Sequence, residues 1–223
     1  MQTLPISFDP HRAQTRNEEA ANTLSAAIGL AGAGLGAVAL TIVSKNSAAG
    51  WPIQPGLAIY LAALLAVHGI STLYHGLPTG RKKSAARVAD HLAIYALIAG
   101  TYTPFALGPL RSHGGWILAG VEWALAGVGV IFVLSGGMQL RRLSNALYLA
   151  MGWLGLFLPD FRNHVPAVSL AWLLAGGIAY SAGVVFYSAK RMPFSHAIWH
   201  LFVIGGSACH FVAVTVLFVS LPR

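Results

Sequence analysis

The run GGWILAGVEWALAGVGVIFVL, residues 114–134, contains one ionisable side chain, Glu122, and no proline. A helix of about 20 apolar residues spans the roughly 30 Å hydrocarbon core of a bilayer. The run therefore reads as a membrane span. Six comparable runs accompany it: Ala20 to Ser44, Pro55 to Leu77, Val88 to Leu107, Leu143 to Leu158, Val165 to Tyr187 and His196 to Leu217. The fifth in chain order, from Leu143, is the shortest. The connections are too short for a soluble domain, so residues 20–219 are expected to form one seven-helix, all-α membrane bundle. Residues 1–19 are expected to be a polar tail.

Composition agrees. Of 223 residues, 56% are hydrophobic and 9% charged, against about 25% charged in a typical soluble domain. Cys209 is the only cysteine, which excludes an intrachain disulfide and Cys-rich zinc motifs. The first twenty residues are polar, with Arg12, Arg16, Glu18 and Glu19, and do not read as a cleavable signal peptide. The 25 glycines are expected to serve close helix packing.

The formal net charge is +8. The basic residues sit in short clusters between apolar runs, a pattern of membrane topology and not of nucleic-acid binding. Arg12 and Arg16 precede the first span. Arg81, Lys82, Lys83 and Arg87 follow the second, Arg141 and Arg142 the fourth, and Lys190 and Arg191 the sixth. Those ten residues fall on one side. Lys45, Arg111, Arg162 and Arg223 fall on the other. Lys and Arg favour the cytoplasmic side, so the N-terminus is expected inside and the C-terminus outside.

Ionisable residues within spans are costly and mark candidate sites. Ser71 and His75 end the second run, Asp90 and His91 open the third, and His196 and His200 open the seventh. Residues four apart share a helix face. The topology brings three histidines and a carboxylate to one depth. Paired histidines at a membrane boundary can be simply interfacial. The addition of His75, Ser71 and Asp90 at the same level favours a zinc set, with three imidazole ligands and a fourth position left to water. Asp90 would hold or deprotonate that water, and Ser71 would bond to it or to a substrate carbonyl. His68 lies about 10 Å deeper than His75, as a cavity-floor residue or a buried, hydrogen-bonded one. His210, about 15 Å deeper than His200, is too far to join the same ion. His91 points about 100° away from Asp90. Glu122 has three open readings: protonated, paired, or lining a polar cavity. His11, His113 and His164 are expected in solvent.

Three stretches resemble the haemolysin-III-type bacterial members of the progestin and adipoQ receptor superfamily. They are Ser71-Thr72-Leu73-Tyr74-His75; Asp90-His91-Leu92-Ala93-Ile94-Tyr95, continuing through Ala99-Gly100-Thr101-Tyr102-Thr103-Pro104-Phe105; and His196-Ala197-Ile198-Trp199-His200 with Cys209-His210-Phe211. The resemblance runs from about Glu18 to Val214. It implies a seven-helix protein of the bacterial inner (cytoplasmic) membrane, with zinc held by His75, His196 and His200. It further implies that Asp90 contacts the metal's water and that Ser71 lies beside it. One departure is visible. The family's Glu-Glu-x-Ala-Asn is present as Glu18-Glu19-Ala20-Ala21-Asn22, but Ser25-Ala26 stands where Thr-His is usual. Eukaryotic relatives are associated with ceramidase-like activity, and alkaline ceramidases have a similar zinc arrangement.

Two functional classes follow. One is an intramembrane zinc hydrolase of a lipid amide or ester, with Asp90 as base and membrane lipids as partners. The other is a non-enzymatic lipid sensor or homeostasis factor with structural zinc. A cytolysin, suggested by the family name, is disfavoured because so apolar a bundle lacks a long polar face. A lipid-sized cavity that reaches the metal would favour the hydrolase.

Overall fold

A computed structural model describes residues 14–47, 50, 53–136, 141–189 and 191–220. Those residues form eight helices and no strand: α1 (Arg16–Lys45), α2 (Ile53–Gly76), α3 (Arg81–Leu107), α4 (Gly115–Leu134), α5 (Arg141–Phe157), α6 (Pro159–His164), α7 (Ala167–Ser188) and α8 (Ser195–Ser220). Each of the seven apolar runs lies on a long helix. The short α6 was not anticipated. It arises where Pro159 ends the preceding helix and supplies a pre-set first helical residue.

Five of the long helices, α1, α2, α4, α7 and α8, are long and apolar enough to cross a membrane by themselves. The other two depart for separate reasons. α3 begins seven residues before the expected span, at Arg81. The basic cluster expected in a loop is in fact its first two turns, since Arg, Lys and Ala are strong helix formers. α5 has 17 residues and is about 25 Å long. Leu24, Leu35, Ile117, Ile131, Ile178 and Leu201 are exposed on the outer faces. So extensive an apolar exterior is untenable in water. The chain is a multi-pass membrane protein.

α1 also begins earlier than expected, at Arg16. A capping box fixes this start. The Thr15 hydroxyl accepts from the Glu18 amide at 3.3 Å, and the Glu18 carboxylate accepts from the Thr15 amide at 2.8 Å. The other Glu18 oxygen accepts from the Phe194 amide at 3.0 Å. That bond ties the start of α1 to the turn before α8.

Packing closes a ring. α1 lies between α2 and α8, α2 packs on α3, α3 meets α5, α5 meets α7, and α7 packs on α8. α4 lies against α3. The ring encloses a cavity whose wall includes residues of α1, α2, α3, α5, α6, α7 and α8, and none of α4.

Candidate metal centre

α2 and α8 carry the three histidines to one point. One nitrogen from each of His75, His196 and His200 lies within 4.8 Å of the others. The His75 and His196 Nε2 atoms are 3.1 Å apart, and the three ring centroids are separated by 4.7–5.1 Å. His75 and His200 are buried. The i, i+4 spacing of His196 and His200 places both rings on the inner face of α8.

Two of the rings are oriented from behind by α1. His75 Nδ1 donates to Glu19 Oε2 at 2.8 Å. Lys83 Nζ contacts the other Glu19 oxygen at 3.1 Å and also donates to the Leu77 carbonyl at 3.1 Å. His200 Nδ1 lies 3.1 Å from the Asn22 carbonyl and 2.8 Å from Ser25 Oγ. Ser25 itself donates to the Asn22 carbonyl at 3.0 Å. A carbonyl oxygen only accepts, so His200 carries its hydrogen on Nδ1. A carboxylate imposes the same tautomer on His75. Both rings therefore turn an Nε2 lone pair toward the meeting point. Three converging imidazoles, two of them with the outer nitrogen anchored, suit a divalent metal, and this trio could hold one.

Asp90 and Ser71 stand beside the trio, both in the cavity wall. The Ser71 hydroxyl is within hydrogen-bonding reach of the Asp90 carboxylate. His91, its neighbour, turns away as expected. Its Nδ1 donates to the Arg87 carbonyl at 2.9 Å, and its Nε2 meets the Tyr187 hydroxyl at 3.2 Å.

The remaining polar residues are placed as follows. His68 lines the cavity, as does His210. Glu122 is fully buried but does not line this cavity, and neither carboxylate oxygen has a hydrogen-bond partner among the described residues. α4 lies outside the ring, so Glu122 takes no part in the wall of this cavity. His113 and His164 stack with ring centroids 3.6 Å apart. His11 lies outside the described residues. Glu19, Asn22 and Ser25 were missed as histidine partners. Glu18-Glu19-Ala20-Ala21-Asn22 was visible as a motif, but Asn22 acts through its backbone carbonyl, which no side-chain pattern discloses. Ala26, where the family has histidine, lines the cavity.

The Haemolysin-III related family matches residues 14–211. The chain belongs to this family. Among haemolysin-III relatives, the hemolysin-3 homolog of Bacillus subtilis (strain 168) is 38% identical over 209 residues, covering 93% of this chain and 98% of that protein. Hemolysin-3 of Bacillus cereus is 38% identical, covering 92% and 93%. The family's wider kinship appears in the human monocyte to macrophage differentiation factor, 34% identical over 70% of this chain and 67% of that one. It appears also in the heptahelical transmembrane protein ADIPOR2 of Oryza sativa subsp. japonica, 28% identical over 75% and 82%. These relationships place this haemolysin-III chain in the progestin and adipoQ receptor superfamily.

Proposed function

We propose that this protein is an intramembrane zinc-dependent hydrolase of a lipid amide or ester. The observation that carries this reading is the cavity. It runs from His196, His200, Asp90 and Ser71 down to Phe105 and Phe161. Along α3 alone, Asp90 to Phe105 is about 22 Å. Its wall of Ile94, Leu97, Ile98, Leu149 and Val203 suits an acyl chain, with the linkage to be cleaved at the histidine trio.

Each side chain has a role in that chemistry. His75, His196 and His200 would hold the metal, with His75 and His200 kept in the required tautomer by Glu19 and by Asn22 with Ser25. Zinc, when bound, polarises a carbonyl and makes water acidic near neutral pH. Asp90 accepts the proton of the attacking water and returns it to the departing amine or alcohol. Ser71 donates to Asp90 and keeps the carboxylate turned to the cavity. The apolar wall excludes bulk water from the reacting bond.

The same reading sets the protein in the cytoplasmic membrane with seven spans, α1 to α5, α7 and α8, and the N-terminus inside. The ten-to-four distribution of Lys and Arg supports the orientation. The bacterial relatives support the location, and the kinship with a heptahelical protein supports the span count.

The test is lipidomics of purified protein incubated with extracted membrane lipids. The expected result is loss of an amide or ester lipid and gain of free fatty acid, abolished by a zinc chelator. An unchanged lipid profile with zinc loaded would overturn the hydrolase and leave the metal a structural role in a lipid sensor.

A further inference from the structure

The cavity continues well past the histidine trio, and its wall there is not uniformly apolar. His68 lies two turns from His75 on α2, and Ser207 lies two turns from His200 on α8. Seven residues return a helix to nearly the same face about 10 Å further along. Each of these two metal-facing helices thus repeats a polar residue at the same second level. The structure joins them: His68 Nε2 and Ser207 Oγ are 3.3 Å apart. From α7, the Tyr180 hydroxyl reaches the same Ser207 oxygen at 2.8 Å. His210 stands edge-on to Tyr180 with ring centroids 5.3 Å apart, and its Nε2 donates to the Leu173 carbonyl at 3.2 Å.

The backbone is shaped around these rings. A Cβ on Gly29 of α1 would collide with the His68 imidazole, and one on Gly176 of α7 with the His210 ring. A Cβ on Gly206 of α8 would lie 2.7 Å from the Tyr180 ring. Three helices therefore carry glycine where a polar ring is seated.

The cluster does not use up its own hydrogen-bonding capacity. If His68 Nε2 carries a hydrogen, three hydrogens serve two contacts, and a donor is left on Tyr180 or Ser207. If Nε2 carries a lone pair, Ser207 donates to it, Tyr180 donates to Ser207, and the Tyr180 oxygen is left to accept. Tyr180 and His68 both line the cavity. A plain acyl chain passing this level would cover the spare group without bonding it, which is unfavourable.

We propose that Tyr180, Ser207 and His68 form a second polar station that binds an oxygen-bearing group, a hydroxyl or a ketone, on the chain of the lipid. The station is about 10 Å from the histidine trio along the helix axes. This rests on the reading of the cavity as the lipid site, and it adds selection for an oxygenated chain.

The experiment measures direct binding of tritiated stearate and of monohydroxystearates, with the hydroxyl at successive mid-chain carbons, to the purified full-length protein. Wild type should prefer one or two neighbouring isomers over stearate by about tenfold, the worth of one well-made hydrogen bond. Tyr180→Phe keeps the ring over Gly206, and Ser207→Ala keeps the small volume. In each, the preference should fall below about twofold, while stearate binds at least as well as to wild type and so reports an intact cavity. Equal affinity for stearate and every isomer in wild type would overturn the station and leave the lipid cavity standing. So would a preference that survives both substitutions. If neither stearate nor any isomer binds, the cavity reading falls and the station with it.

Discussion

Glu19 and Asp90 are carboxylates on opposite sides of the same three histidines, and their substitution should have opposite consequences. Asp90 faces the cavity and touches no ring as a hydrogen-bond partner among the interactions described. Asp90→Asn preserves size and hydrogen bonding but removes the base. Zinc content should persist, while turnover of the lipid substrate falls by about 10²–10⁴-fold. A variant equal to wild type in activity and stability would reduce Asp90 to a polar residue of the cavity wall. Glu19 lies behind His75 and accepts from its Nδ1. Glu19→Ala should weaken zinc binding by about 10–100-fold, whereas Glu19→Gln retains an acceptor and should recover most of that loss. Competition with a chromophoric chelator measures both. Identical affinities for wild type and Glu19→Ala would deny Glu19 any part in the site. Elemental analysis of wild type should give about one zinc per chain, and His200→Ala should lose it. Iron or manganese as the native metal would count against zinc, because imidazole sites also accept those ions.

At the scale of elements, α3 and α4 meet at a contact sensitive to volume. The Tyr95 ring lies directly over Gly129, where a Cβ would overlap it, and Tyr95 is fully buried. Gly129→Val should therefore lower stability by about 1–3 kcal/mol through overpacking. Gly127, two residues earlier, has open space around its Cβ position, so Gly127→Val should change stability little. Thermal unfolding in detergent compares the two, and equal effects would deny the close approach of the helices. The same pair of helices shows how element boundaries were read. The α4 run was legible to within one residue at its start because it is apolar apart from Glu122. The start of α3 was not, because Arg81 to Arg87 satisfy helix propensity while failing any test of hydropathy.

For the whole molecule, the orientation proposed from the charge distribution has a direct test. A reporter active only in the cytoplasm, fused after Arg223, should be silent, and the same reporter placed before Met1 should be active. An active C-terminal fusion would mean an inverted chain or an even number of spans. The orientation has a chemical corollary. The histidine trio, Glu19 and Lys83 all lie at the end of the bundle that carries the basic clusters, so in the proposed orientation a lipid substrate would present its linkage at the cytoplasmic side.

The seven long helices were readable in the sequence because hydrocarbon demands long apolar runs. The convergence of His75, His196 and His200 was readable because four-residue spacing and a common depth leave few other arrangements. What the tertiary structure decided is how each helix is turned about its axis. In lipid the outside of a bundle is as apolar as its inside, so no polar stripe marks the inward face. That rotation put Glu122 outside the ring of helices, although its sequence position gave no preference among three readings. It brought the backbone carbonyl of Asn22 to His200, and Glu19 to His75, across 178 and 56 residues of chain. It also joined His68, Ser207 and Tyr180 from three separate helices. Interhelical contacts of this kind depend on close packing between distant segments, and that packing is settled only when all the helices assemble together.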